Sequence, residues 1–332
     1  MKKICIACLT LSMAFASVTA FAGCSSGGKN GDKLQIVTTI FPEYDWVRQV
    51  LGEEAENAEL TMLLDNGVDL HSYSPTVSDI VNIATCDMFI YVGGESDEWV
   101  DGALAQATNS DMVVVNLMEV LADNVVAEEE VGEEEHEHEE GDHEHEHEND
   151  EHVWLSLRNA QIVCSYIADK LGEIDPENAE VYEDNAARYN AQLHALDEEY
   201  TTAVENAACK TLLFADRFPF RYLTEDYGLE YYAAFSGCST ETNASADTIA
   251  FLVGKVNELG LTSVLIIDGS DGKVAQTVVS ETETKDQSIL TLDSIQSVTL
   301  SAAKNVTYLS LMQSNLEVLK TALRVPSTEK GA

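Results

Sequence analysis

Short apolar runs alternate with segments of helical spacing along the first half of the chain. The β-branched run at 34–40 predicts a strand, and residues 44–51 then repeat apolar side chains at helical intervals. Further runs predict strands at 60–64, 88–92 and 112–116, and residues 77–84 predict a helix between two of them. Such alternation is typical of βαβ units and of a largely parallel sheet.

The second half of the chain repeats this alternation. Strands are predicted at 211–215, 231–235, 263–267 and 290–292, a helix is predicted at 246–259, and an apolar stripe predicts a last helix near 309–323. No residue-level repeat relates the two halves. The sequence therefore predicts an α/β fold of two lobes, each a mainly parallel sheet flanked by helices.

One long helix is predicted between the lobes, at 175–207. Asp175 is a suitable N-cap, and Pro176 suits the first helical position. One apolar stripe continues along the whole segment through Tyr182, Tyr189, Leu193, Leu196, Tyr200 and Val204. Because such a helix is longer than a small domain is wide, we expect it to be a rigid connection between the lobes.

The N-terminus is typical of an exported protein. Lys2 and Lys3 precede an apolar run that ends in small residues just before Cys24, and the residues after it are composed like a flexible tether. This layout resembles a bacterial lipobox, in which Cys24 becomes the lipidated N-terminus. The alternative is an ordinary cleaved signal with an incidental cysteine.

The predicted organisation has six segments. They are a signal peptide at 1–23, a tether at 24–32, an N-terminal lobe at 33–174, the linking helix at 175–207, a C-terminal lobe at 208–326 and a tail at 327–332. The N-terminal lobe includes an acidic, His-rich loop at 124–151. We expect this loop to be disordered, because dense like charge with few apolar side chains cannot offset the entropy of ordering.

The charge of the chain excludes one class of partner and favours another. The formal net charge is −41, so nucleic acid is not expected as a partner, since phosphate binding needs a cationic surface. Five histidines lie among the carboxylates of the loop, namely His136, His138, His143, His145 and His147. They predict weak, exchanging metal sites. A solubilising acidic loop is the alternative, but it does not explain the histidines.

Three polar residues follow predicted strands or flank the loop. His71 follows the run at 60–64, His152 lies between the loop and a helix, and Asp293 follows the short run at 290–292. Ligands of open parallel sheets bind beyond the carboxyl ends of the strands, and two imidazoles with a carboxylate suit a transition metal. A solitary histidine is more often structural, so spacing alone leaves both readings open. Cys238 also follows a predicted strand, where we interpret it as a small buried or rim residue.

Several ordered motifs across the chain carry a family resemblance. They lie at 36–42, 67–76, 150–155, 222–229, 293–294 and 308–316. The chain resembles the zinc- and manganese-binding lipoproteins of bacterial ABC importers, the cluster A-I metal solute-binding proteins. The resemblance implies a metal site between the lobes, held by His71, His152 and Asp293.

One position departs from that family. The resemblance implies a histidine ligand five residues before Tyr222, where this chain has Arg217, which has no lone pair to donate. Either Asp216 takes the position, or Arg217 pairs with Asp268 and leaves the coordination open. A salt bridge of Arg217 without metal relevance is a further alternative. Asp268 is interpreted as a neighbour of the metal ligands.

The resemblance implies a carrier, not an enzyme. We expect a monomeric, lipid-anchored extracytoplasmic protein that binds Zn²⁺ and delivers it to an ABC permease and its ATPase. The His-rich loop favours zinc, although Mn²⁺ carriers belong to the same family. A zinc hydrolase and an adhesin with a structural metal are the other hypotheses.

Overall fold

The computed structural model describes residues 33–128, 149–239 and 243–326. The described residues form strands in both halves of the chain. The strands are β1 Leu34–Thr38, β2 Ala58–Met62, β3 Met88–Tyr91, β4 Val113–Asn116, β5 Thr211–Phe218, β6 Glu230–Ser236, β7 Ser263–Ile267 and β8 Ser288–Leu292. All eight include or overlap runs that predicted a strand.

The strands form two four-stranded parallel sheets, which confirms the predicted fold class. The spatial order is β2-β1-β3-β4 in the first sheet and β6-β5-β7-β8 in the second. The strand order reverses between β1 and β3 and again between β5 and β7. Open parallel sheets bind ligands beyond the carboxyl ends of their strands at such switch points. Each lobe therefore presents a suitable edge for a binding site.

Helices flank both sheets. They are α1 Phe41–Leu51, α2 Val77–Thr85, α3 Trp99–Leu104, α4 Leu117–Val120, α5 Leu157–Ile174, α6 Ala179–Glu205, α7 Arg221–Tyr227, α8 Ala246–Leu259, α9 Lys273–Glu281 and α10 Tyr308–Ala322. Within the described residues, no helix is long and apolar enough to cross a membrane.

The 27-residue helix α6 packs against helices from both halves of the chain. It contacts α1 and α5, which precede it in the chain, and α7 and α10, which follow it. The predicted stripe is buried along its whole length, from Tyr182 to Val204. At 1.5 Å per residue the helix is about 40 Å long, so it reaches both lobes.

The start of this helix differs from the prediction. It begins at Ala179, not near Asp175. The Asp175 carboxylate accepts hydrogen bonds of 2.7 Å from the Asn178 side chain and the Tyr182 hydroxyl. Because these side chains occupy it, Asp175 does not cap the helix backbone.

The lobes share one continuous apolar core, which joins residues from β1 through α10. Polar contacts cross the same core. The Trp154 indole donates to the Ser294 carbonyl at 2.8 Å, and the Tyr308 hydroxyl donates to the Trp154 carbonyl at 2.6 Å. These buried bonds fix the segment that carries His152 against the second half of the chain.

Candidate metal site between the lobes

His71 lies in a short 3-10 helix, Leu70–Ser72, that follows β2. Asp69 begins this turn, and its carboxylate accepts from the His71 backbone N–H at 3.0 Å. The His71 Nδ1 lies 2.7 Å from the hydroxyl of Ser96, which follows β3 in the same sheet. Ser96 is held in turn, because its N–H donates to Glu151 at 2.8 Å. The imidazole is thus oriented from two strand ends of the first sheet.

His152 is completely buried and is oriented by Asp150. Its Nδ1 and its backbone N–H lie 3.0 and 2.8 Å from Asp150 Oδ1. The Tyr222 hydroxyl donates to the Asp150 carbonyl at 2.7 Å and so ties this segment to α7. A carboxylate on Nδ1 selects the tautomer whose Nε2 is free to bind a metal.

The two imidazoles face each other through their Nε2 atoms, which are 3.2 Å apart. The Ser96 hydroxyl can accept the Nδ1 proton of His71, and Asp150 accepts that of His152, so both Nε2 atoms then carry lone pairs. Two facing lone pairs need a proton or a cation between them. Two nitrogens on one tetrahedral zinc, at 2.0–2.1 Å each, would be about 3.3 Å apart. The observed pair therefore fits a shared metal ion.

A third ligand type lies beside the two histidines. The Cys238 Sγ and the nearest ring nitrogens of His71 and His152 lie within 4.8 Å of one another. Among the described residues this is the one group of three or more His, Cys, Asp or Glu side chains with that proximity. The interpretation of Cys238 as a mere buried or rim residue overlooked this cluster. A cysteine directly after a strand of the second sheet was the only signal in the sequence.

The charges around the histidines favour one bound proton when no metal is present. Burial and the neighbouring His152 lower the pKa of His71 to about 4. Burial also acts against a charge on His152, but the carboxylates of Asp150, Glu151 and Asp69 together outweigh it and raise the pKa of His152 above its ordinary value. These opposite shifts favour protonation of His152 over protonation of His71.

Asp293 and Asp268 follow β8 and β7 at the carboxyl edge of the second sheet. Asp293 Oδ1 accepts from the Ile295 N–H at 2.8 Å, and Asp268 Oδ1 accepts from the Ser294 N–H and hydroxyl at 2.7 Å. Burial, and then the charge of Asp268, raise the pKa of Asp293 to about 6. Asp293 does not belong to the cluster of His71, His152 and Cys238.

Arg217 pairs with Asp69, so the alternative in which it pairs with Asp268 is wrong. The guanidinium lies 2.6 Å from Asp69 Oδ2, and both groups are half-buried. The Asp268 carboxylate instead accepts a hydrogen bond from the Ser294 hydroxyl. Burial alone would raise the pKa of Asp69, but the hydrogen bond and charge of Arg217 hold it below its ordinary value. The pair connects β5 of the second lobe with the turn that carries His71.

Asp216 lies next to this pair and, among the described residues, makes no hydrogen bond to His71 or His152. Its Oδ1 accepts from the Arg217 N–H at 2.9 Å, and its buried Oδ2 has no hydrogen-bond partner among the described residues. The loop histidines and Cys24 lie outside the described residues. The two ends of the loop are described, and there Ala127 forms an isolated antiparallel bridge with Asn149.

Comparison with known proteins identifies the family. The model of the family described as "ZnuA: Zinc-uptake complex component A periplasmic" matches residues 36–322, which include both lobes and all the residues of the site. The chain belongs to this zinc-uptake family.

Two relatives of known name share this membership. The chain is 33% identical over 321 residues to the high-affinity zinc uptake system protein ZnuA of Bacillus subtilis, covering 96% of this chain and 97% of that protein. It is 32% identical over 315 residues to the zinc-binding lipoprotein AdcA of Streptococcus pneumoniae. That match covers 93% of this chain and 60% of the longer AdcA.

Solved structures agree with the zinc-uptake fold. The Zn(II)-bound ZnuA-like domain of Streptococcus pneumoniae AdcA superposes with a TM-score of 0.69 at 27% identity, over 88% of this chain and 99% of that domain. The metal-dependent lipoprotein YcdH of Bacillus subtilis superposes with a TM-score of 0.71, also at 27% identity and with the same coverage.

Proposed function

We propose that this member of the zinc-uptake family captures Zn²⁺ outside the cytoplasm, between its two lobes, and delivers it to an ABC importer. The observation that carries this proposal is the pair of facing Nε2 atoms of His71 and His152, 3.2 Å apart. Ser96 orients the His71 ring at Nδ1, and Asp150 orients the His152 ring at Nδ1, so the two Nε2 lone pairs point toward one position before any metal binds. Zinc is the cargo here, and its relatives are named for zinc.

His71 and His152 are the ligands that we assign first. Asp293 is the carboxylate that we propose as a further ligand. It is desolvated and close enough to Asp268 for the two charges to raise its pKa, and a cation would relieve that repulsion. Asp216 and Asp268 are then neighbours of the site and not ligands, since Asp268 already accepts two hydrogen bonds from Ser294.

The remaining parts of the proposal concern the surroundings of the protein. We propose that a lipid on Cys24 anchors a monomer to the bacterial membrane, and that an ABC permease with its ATPase receives the ion. The loop histidines, from His136 to His147, would raise the local zinc concentration through weak sites. A carrier of this kind does not need to catalyse a reaction.

Zinc titration of histidine variants tests the proposal. His71→Ala and His152→Ala should each weaken tight zinc binding by more than about tenfold, because even the loss of an outer partner of a metal ligand costs about 10–100-fold. His194→Ala is the matched control, since this exposed histidine lies on α6 away from the cluster. Circular dichroism of the metal-free variants should be unchanged. Tight binding that survives both substitutions would refute the assignment.

A further inference from the structure

We propose that Cys238 binds the zinc ion as a thiolate, beside His71 and His152, and that this sulfur makes the site select zinc over manganese. The inference rests on the proposed function and adds a ligand and a basis for metal selectivity to it. The three ligand atoms lie within 4.8 Å of one another. Ligand atoms of one tetrahedral zinc lie about 3.3–3.6 Å apart, so the thiol would move closer to the rings by up to about 1 Å when the ion binds.

The backbone around Cys238 is built to bring its sulfur to the histidines. Cys238 follows β6 and Gly237, and its N–H donates to Glu128 at 3.2 Å. A Cβ at Gly237 would lie only 2.9 Å from the His152 Cε1, so the glycine allows this turn to approach the imidazole closely. The same turn therefore positions the thiol next to the ring that it would join at the metal.

The other described cysteines have different surroundings. Cys86 is buried, and its thiol donates to the Ile83 carbonyl. Cys164 is completely buried in the apolar core. Cys209 lies near the Thr211 carbonyl. None of these three belongs to a cluster with histidine, so Cys238 is distinguished by its neighbours and not by residue type alone.

The chemistry of the Cys238 thiol suits a zinc ligand. Cysteine binds a metal as the thiolate, so the Cys238 thiol must lose its proton when the ion arrives. When zinc binds, the Zn–S bond forms as the S–H bond breaks, and the proton leaves to water. A soft thiolate favours Zn²⁺ and Co²⁺, whereas Mn²⁺ prefers oxygen ligands.

Cobalt substitution gives a direct readout of the sulfur. One equivalent of Co²⁺ added to the purified protein under reducing conditions should produce a near-ultraviolet thiolate-to-cobalt charge-transfer band. Cys238→Ser should abolish the band and weaken zinc binding by more than about tenfold, while changing Mn²⁺ binding much less. Cys209→Ser, the matched control, should keep the band and the zinc affinity.

The outcomes separate this inference from the proposed function. Suppose that tight zinc binding depends on His71 and His152. The role of Cys238 would then be overturned if the wild type showed no charge-transfer band, or if Cys238→Ser kept the wild-type zinc affinity. Either result would leave the zinc carrier in place. A band that survives Cys238→Ser would also overturn the role of Cys238. Absence of tight zinc binding in the wild type would instead refute the proposed function.

Discussion

At the scale of single residues, the ion pair of Arg217 and Asp69 controls the charge beside the site. A permanent cation near a divalent metal is repulsive unless a carboxylate neutralises it. Asp69→Ala should therefore free the guanidinium, remove the acceptor of the His71 N–H and weaken zinc binding by about fivefold or more, since unit charges about 4 Å apart interact by about 1 kcal/mol even in water. Competition titration against a zinc chelator measures this change.

The matched control for that substitution is Asp111→Ala. It removes the same charge from an exposed residue that precedes β4, at the opposite edge of the first sheet. Its zinc affinity should equal that of the wild type. Equal losses in the two variants would mean that Asp69 acts only through net charge, and would contradict a local role for the pair.

Gly237 is a second residue whose size matters to the site. A Cβ there would lie 2.9 Å from both the His152 Cε1 and the Phe218 carbonyl oxygen. Because Asp150 holds the ring, Gly237→Ala should displace His152 or the turn and weaken zinc binding by about tenfold or more. Gly102→Ala is the control, since a Cβ at Gly102 meets nothing within 4 Å. Unchanged affinity in Gly237→Ala would show that the turn moves freely.

The histidine pair predicts a pH dependence. The raised pKa of His152 means that zinc must displace a proton at and below that pKa, whereas His71, at about 4, stays neutral. Zinc affinity should therefore fall as the pH falls, and the slope of its logarithm should steepen by one proton below the pKa of His152 and by another below that of the proposed ligand Asp293, which is about 6. Titrations between about pH 5 and about pH 8 measure the slope. A slope that stays constant across this range would contradict the assignment of the proton.

The site was predictable from the sequence only in part. His71 could be singled out because polar residues beyond apolar runs meet at the carboxyl edge of a parallel sheet, whereas the family resemblance implied the ligand roles of His71 and His152. The partner of Arg217 could not be predicted, because Asp69 is 148 positions away and the choice between carboxylates depends on how the lobes face each other. Cys238 was interpreted as a small buried or rim residue because a cysteine is ordinarily a small apolar residue.

At the scale of elements, the strands were well predicted because both faces of a parallel sheet are covered, which produces short, continuous apolar runs. The predicted helix at 246–259 matches α8, which Ser245 caps by accepting from the Thr248 N–H. The start of α6 was predicted less well. Asp175 and Pro176 are typical of a helix start, yet the Asp175 side chain bonds Tyr182, a contact that local propensity does not include.

The acidic loop is an element whose contribution can be removed cleanly. Ala127 and Asn149 form a bridge, so its two ends are already adjacent, and a two-glycine linker in place of residues 129–148 should close the gap. We expect this variant to keep one tight zinc site and to lose the weaker ones, because the clustered ligands lie outside the deleted segment. Calorimetric titration measures both classes. Loss of the tight site would place a loop histidine in it.

At the scale of the whole molecule, two separate sheets present their carboxyl edges to a common site. Residues that follow β2, β3 and β6 approach one another there, while the continuous core and helix α6 join the lobes elsewhere. Because the clustered ligands are not members of the apolar core, we expect that binding can be lost without unfolding. This separation of fold from site suits a carrier that must both take up and release its ion.

The position of the bound ion tests the central claim most directly. A crystal structure of the zinc-loaded protein, with anomalous scattering measured at the zinc edge, should show one strong peak bonded to the Nε2 atoms of His71 and His152 at about 2.0–2.1 Å. Their Nδ1 atoms should keep Ser96 and Asp150 as partners. A strong peak elsewhere, with the two Nε2 atoms still facing each other and no ion between them, would contradict the proposed zinc site.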